Sequence, residues 1–260
     1  MSYEHEADPK WVCFFMNNNF LSVKNRQVTK QRRRDVIYMK WIWSFIMVVA
    51  LLVAVSPQGL AAEKNNNANV RVIHASPDAP AVDIYVDGQP AFKNAAFKDV
   101  TDYAMLAPGE KTIQVFASSA NGEGKPVLEQ KLSVEAGKNY SVLAVGKLEN
   151  LALKVLEDQK GSGEKAGLRA VHASPNAPAV DIGVKDGDAL IKNLAFTQNS
   201  EYQFIDPGTY NLEIRPAGTD KAVLDLPNLP VEAGVNYTAI ALGLLDGDPS
   251  LNVILLKDGK

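Results

Sequence analysis

The phrase HASPDAPAVDI at residues 74–84 returns as HASPNAPAVDI at 172–182, with Asp78 against Asn176 as its one change. The correspondence runs far beyond the phrase: Phe97 matches Phe196, Tyr103 matches Tyr202, Pro108-Gly109 matches Pro207-Gly208, and Asn139-Tyr140 matches Asn236-Tyr237. A fixed period of about 98 residues means that each copy must build the same unit. Any acceptable fold therefore contains two like domains of about 90 residues, in keeping with ordinary domain sizes.

Within each copy the apolar residues alternate with polar ones in short runs: VRVIHA from 70, AVDIYVDG from 81, KTIQVFAS from 111, NYSVLAVG from 139 and LALKVLE from 151. Asp87-Gly88, Pro108-Gly109, Asn121-Gly122 and Ala136-Gly137 separate them with turn chemistry. No long stretch has helical period. About seven short strands in about 90 residues predict an all-β chain of two tandem immunoglobulin-like or transthyretin-like β-sandwiches. Tyr140 and Tyr237, each just past an Ala-Gly turn, read as tyrosine corners bonded back to nearby backbone.

His74, Ser76 and Asp83, with His172, Ser174 and Asp181 in the second copy, are the candidate site residues. Along an extended strand, residues i and i+2 stand about 6.6 Å apart, whereas a serine and its base must come within about 3 Å. No Gly-rich stretch offers an oxyanion hole, and one histidine per copy is too few for zinc. The reading favoured is structural. Ser76 and Pro77 make a turn, Val82, Ile84 and Val86 face the core, and each histidine bonds to backbone or to the aspartate of its own copy. No catalytic residue, metal or cofactor is expected. The competing readings are a hydrolase or metal-dependent site between the copies that uses both histidines, and a calcium-stabilised adhesion module.

Upstream, Trp41–Val55 is an apolar run preceded by Arg32–Arg34 and Lys40 and followed by Pro57, Gly59, Ala61 and Ala62, the pattern of a secretory signal. The expected boundaries are an upstream extension or cytoplasmic tail at 1–38, a signal peptide at 39–62, a linker at 63–69, repeat 1 at 70–157, a solvated linker at 158–167 and repeat 2 at 168–260. The only cysteine, Cys13, lies ahead of the signal, so the exported part is expected to carry no disulfide. Residues 1–40 hold eight Lys or Arg against four Asp or Glu, a net of +4, which leaves −7 for the remainder of a chain whose total is −3. An acidic exported chain excludes general electrostatic binding to nucleic acid. Membrane contact is expected only through the signal segment, if it stays uncleaved.

The His-Ala-Ser-Pro-x-Ala-Pro-x-Val-Asp opening, present at 74–83 and 172–181, resembles that of domain of unknown function family 4397. The resemblance covers both copies. It implies a secreted or surface β-sandwich protein of bacterial type and carries no reaction or catalytic residues with it. The resulting expectation is a non-enzymatic extracellular binding or structural module, with a polysaccharide, peptide or protein as its ligand. Such sandwiches bind through end loops or by strand addition at an edge.

Overall fold

The computed structural model describes residues 66–259, so the extension at 1–38, the signal at 39–62 and the start of the first linker lie outside the described residues. Repeat 1 contributes eight strands: β1 (Ala68–His74), β2 (Val82–Val86), β3 (Gln89–Ala95), β4 (Ala104–Leu106), β5 (Gly109–Ala117), β6 (Leu128–Val134), β7 (Asn139–Val145) and β8 (Ala152–Asp158). Repeat 2 reproduces them in order as β9 (Ala166–His172), β10 (Val180–Val184), β11 (Ala189–Leu194), β12 (Gln203–Ile205), β13 (Gly208–Pro216), β14 (Leu224–Val231), β15 (Asn236–Leu242) and β16 (Asn252–Asp258). No α-helix occurs among the described residues.

Each repeat is a sandwich of two four-stranded sheets, ordered β4-β1-β7-β8 and β3-β2-β5-β6, then β12-β9-β15-β16 and β11-β10-β13-β14. The first strand of each repeat pairs parallel with the seventh, Asn69 against Asn139 and Gly167 against Asn236, while the other pairings are antiparallel. This order departs from the seven-stranded ABED and CFG arrangement of an immunoglobulin constant domain. The transthyretin-like alternative is the one that fits.

Strand parity explains the layering, because successive side chains leave a strand on opposite faces. Ala68, Val70 and Val72 of β1 join Tyr140 and Val142 of β7 in the core of repeat 1. The alternate residues Ile73, Ala75, Leu143 and Val145 are equally buried but belong to a second cluster, shared with Val171, Ala173, Ile240 and Leu242 of repeat 2. Sheet β4-β1-β7-β8 therefore packs on sheet β12-β9-β15-β16. All seven residues of β9 and all seven of β15 are buried, as a strand enclosed on both faces requires.

The stretch read as a solvated linker is narrower than expected. Asp158 at its start and Ala166 and Gly167 at its end are buried within strands. Between them a Cβ on Gly161 would lie 2.5 Å from the Gly234 carbonyl oxygen and 2.6 Å from the Asn236 nitrogen, so backbone crosses backbone without side-chain clearance. Composition marked this stretch as polar. Its contact with the β14–β15 turn depends on the neighbouring repeat and leaves no trace in composition.

Candidate functional site

His74 and His172 stand at the ends of β1 and β9, each about 1% exposed, with parity that turns them into their own sandwich and away from the other repeat. His172 Nε2 lies 2.9 Å from the Pro178 carbonyl oxygen, and His74 Nε2 lies 3.2 Å from that of Pro80. The backbone N–H of Ser174 donates to His172 Nδ1 at 3.3 Å, which places the ring proton on Nε2 and makes Nε2 the donor to Pro178. Burial holds the His172 pKa below its usual value, so the ring stays neutral.

The serines and aspartates of the motif look elsewhere. Ser174 donates its hydroxyl to the Gly243 carbonyl at 2.7 Å, and Ser76 reaches Asp78 at 3.4 Å. Asp83 and Asp181 project from the opposite face of the second strand. There Asp83 accepts the Asn94 N–H at 2.8 Å and the Ser118 hydroxyl at 2.7 Å, while Asp181 accepts the N–H groups of Asn193 and Gly218 at 2.7 and 3.0 Å. Those backbone donors pull the Asp181 carboxyl below the ordinary carboxylate range. Asn94 and Asn193 have φ of +55° and +51°, and each aspartate secures the irregularity that they create in the β2–β3 and β10–β11 ladders.

Histidine, serine and aspartate of one motif therefore do not converge. The one-letter difference between the copies is also conservative: Asp78 Oδ1 accepts the Leu148 N–H and Asn176 Oδ1 accepts the Leu245 N–H, both at 2.8 Å. The two tyrosines read as corners behave alike. The phenol oxygens of Tyr140 and Tyr237 accept the N–H of Glu135 and Glu232, five residues upstream, at 3.2 and 3.1 Å. Among the described residues no group of three His, Asp or Glu is placed to hold a metal ion.

The densest polar cluster lies between the repeats. Arg71 on β1 reaches Asp258 on β16 at 2.5 Å, and Arg169 on β9 reaches Asp158 on β8 at 2.6 Å. Each arginine also bonds the hydroxyl beside its own strand, Arg71 to Ser141 at 2.7 Å and Arg169 to Thr238 at 3.0 Å, and donates to the Lys257 or Glu157 carbonyl of the other repeat. The second carboxylate oxygens are filled from within their own repeats: Asp158 accepts from Ser141 and Tyr103, and Asp258 accepts from Thr238 and Tyr202. Tyr103 and Tyr202 close the flanks, with the guanidinium carbons 4.8 and 4.7 Å from their ring centres. Burial and the adjacent carboxylates raise both phenol pKa values. The arrangement is pseudo-twofold, every member on one repeat having its counterpart on the other.

Sequence reasoning passed over Arg71, Arg169, Asp158 and Asp258. The signal was present: an arginine recurs inside two largely apolar runs, NVRVIHA and GLRAVHA, and an aspartate ends both KVLED and LLKD. A charge in a strand enclosed on both faces needs a partner, and in this chain the partner comes from the other copy.

The sequence matches the family model described as domain of unknown function DUF4397 twice, over residues 68–183 and 166–260. The chain belongs to this family. Among curated proteins none matches it. Three solved structures show weak similarity. The C-terminal domain of AlgF from P. aeruginosa is 20% identical with a TM-score of 0.29, covering 36% of this chain and 99% of that one. A candidate cell adhesion protein of Bacteroides ovatus ATCC 8483 is 9% identical with a TM-score of 0.22, covering 74% and 96%. Another, from Bacteroides fragilis NCTC 9343, is 9% identical with a TM-score of 0.17, covering 75% and 97%. At these scores the three carry no argument about function.

Proposed function

We propose that this DUF4397 tandem is a non-enzymatic binding or structural module that works outside the cell, as one rigid body. The observation that supports this reading most is the internal commitment of its polar groups: each motif histidine, serine and aspartate bonds its own repeat, and the strongest charges hold the repeats to each other. His74, Ser76, Asp83, His172, Ser174 and Asp181 are, on this reading, turn and bulge fasteners. Export rests on the apolar run at 41–55 and its flanks. The ligand of such a module would be an extracellular polysaccharide, peptide or protein.

Binding of the purified tandem to a panel of glycans and to isolated cell walls tests the proposal, with saturable retention expected. Turnover of ester, peptide or glycoside substrates that disappears with His74→Ala would overturn it. N-terminal sequencing of protein recovered from the medium tests export, which is expected to give a start near Ala62 or Glu63.

A further inference from the structure

The chain contains a single Asn-Gly pair, Asn121-Gly122, and it falls between β5 and β6. The hand of the turn accounts for both residues. Asn121 has φ of +50° and ψ of 32°, Gly122 has φ of +78°, and the Glu123 N–H donates to the Ala120 carbonyl at 2.9 Å. Two positive φ values in succession select asparagine and then glycine. Packing fixes Gly122 as well, because a Cβ there would run into the hydroxyl and ring of Tyr85. The turn therefore installs a side-chain amide directly beside a backbone nitrogen that no Cβ shields.

The surroundings leave both groups available. Asn121 is exposed, and among the described residues the Gly122 N–H makes no hydrogen bond. The tip is lightly held. Beyond the Glu123–Ala120 bond, the Tyr85 hydroxyl donates to the Asn121 carbonyl at 3.2 Å, and pairing with β5 resumes only at the Val127 N–H, which donates to the Val115 carbonyl. No residue from 121 to 127 is buried, so the tip opens locally without disturbing the core. Asp87-Gly88, at the β2–β3 turn, lacks this freedom: its carboxylate accepts the Thr112 N–H at 2.8 Å and the Lys111 ammonium at 3.1 Å.

We propose that Asn121 is a site of spontaneous covalent modification, in which water as the sole co-reactant converts its amide to a carboxylate, and that the Tyr85 phenol restrains the rate. Rotation about the Asn121 ψ bond brings the Gly122 nitrogen onto the side-chain Cγ. The N–Cγ bond forms, the Gly122 N–H proton and the side-chain amide leave together as ammonia, and a cyclic succinimide remains. Water then adds to one imide carbonyl. Cleavage of the Cγ–N bond gives aspartate at 121, whereas cleavage of the backbone C–N bond gives isoaspartate, whose main chain runs through Cβ and Cγ. No oxidation or reduction is involved.

Either product places a new negative charge beside Glu123, and the isoaspartyl form lengthens a turn that two positive φ values hold closed. Tyr85 opposes the first step, since its bond to the Asn121 carbonyl holds ψ where the attack cannot occur. The site belongs to repeat 1 alone, because the β13–β14 connection at 217–223 contains no asparagine. The inference is independent of export and of any ligand.

The test incubates the full chain, folded, in warm and mildly alkaline buffer made with heavy-oxygen water, and maps its peptides by mass spectrometry at intervals. One solvent oxygen is expected in the peptide spanning Asn121, with isoaspartate located there by fragmentation. Asn94, Asn193 and Asn228 are internal controls, exposed and left-handed like Asn121 but followed by Ala95, Leu194 and Leu229, and they should remain amides over the same period. Tyr85→Phe keeps the ring and removes the bond, and should speed the reaction about two- to fivefold, the factor that one net hydrogen bond supplies, with circular dichroism unchanged. An Asn121 amide that persists in the folded chain while it is lost from the urea-unfolded one would overturn the proposal. Equal rates at the three control asparagines would do the same, and a Tyr85→Phe rate equal to the parent's would overturn the role given to the phenol.

Discussion

Asp258→Ala tests the interlock at its most exacting point. The substitution removes the acceptor of Arg71, Thr238 and Tyr202 together and leaves the Arg71 guanidinium in a site where the residue is only 4% exposed. Removing one partner of a buried pair typically costs about 3–5 kcal/mol, most of it from the stranded charge. Arg71 keeps a longer contact with Asp158, at 3.4 Å, and its bonds to Ser141 and the Lys257 carbonyl, which places the expected loss near the lower end, about 3 kcal/mol. For a folded unit of this size that corresponds to a fall in Tm of about 6–12 °C. Calorimetry of the parent should show one cooperative transition, because the repeats share a core and a charge network. In Asp258→Ala the transition should broaden or divide as the repeats uncouple. Arg71→Met combined with Asp258→Leu should recover part of the loss, since the double replacement leaves no stranded charge from that pair, while the Thr238 and Tyr202 hydroxyls still lose their acceptor. A single-substitution cost under about 0.5 kcal/mol, as for an exposed ion pair, would refute the reasoning. A double variant no more stable than Asp258→Ala would do the same.

Thr197 has φ of +67°, a region that a β-branched side chain enters only under strain. Thr197→Asn should raise stability by about 0.5–1 kcal/mol in urea unfolding, and a loss would show that the hydroxyl has a role beyond its backbone. The pKa of His172 is depressed by burial, so the unfolded chain takes up its proton before the folded one. Stability should therefore be complete above the unfolded value near 6.5 and fall as the pH drops below it, by at most about 1.4 kcal/mol per pH unit. The slope should lessen in His172→Gln, and an unchanged slope would remove His172 as its source. Asp181 adds to acid loss further down, because its lowered pKa confers stability that goes as the pH falls through and below the usual carboxylate value, and Asp181→Asn should shed that part. Gly161→Ala would drive a Cβ into the Gly234 carbonyl, and about 1–3 kcal/mol should be lost in thermal melts as the connector is forced off the β14–β15 turn.

Much of this architecture could be read from one chain. The alternation in VRVIHA and NYSVLAVG forecasts strands that the structure places as β1 and β7, and the recurrence of HASPxAP forecasts two like sandwiches. Local pattern suffices there, because period-two burial and turn residues act over a few neighbours. The partners of the motif residues were less legible. Asp83 and Asp181 bond to bulged backbone at Asn94 and Asn193, about a dozen residues on, and no spacing rule joins an aspartate to an N–H whose direction depends on a left-handed residue. The pairing of Arg71 with Asp258 spans nearly all of the described residues.

From sequence alone came the strands, the turns, the duplication and the expectation that each copy closes its own core. Those follow from short-range chemistry, repeated. Only the tertiary structure decided that β1, β7, β9 and β15 are enclosed on both faces and that the charges of one repeat are neutralised by the other. Which side chains meet across two stacked sheets depends on how the sheets are offset, and that offset is fixed by the summed packing of residues some 70 to 190 positions apart.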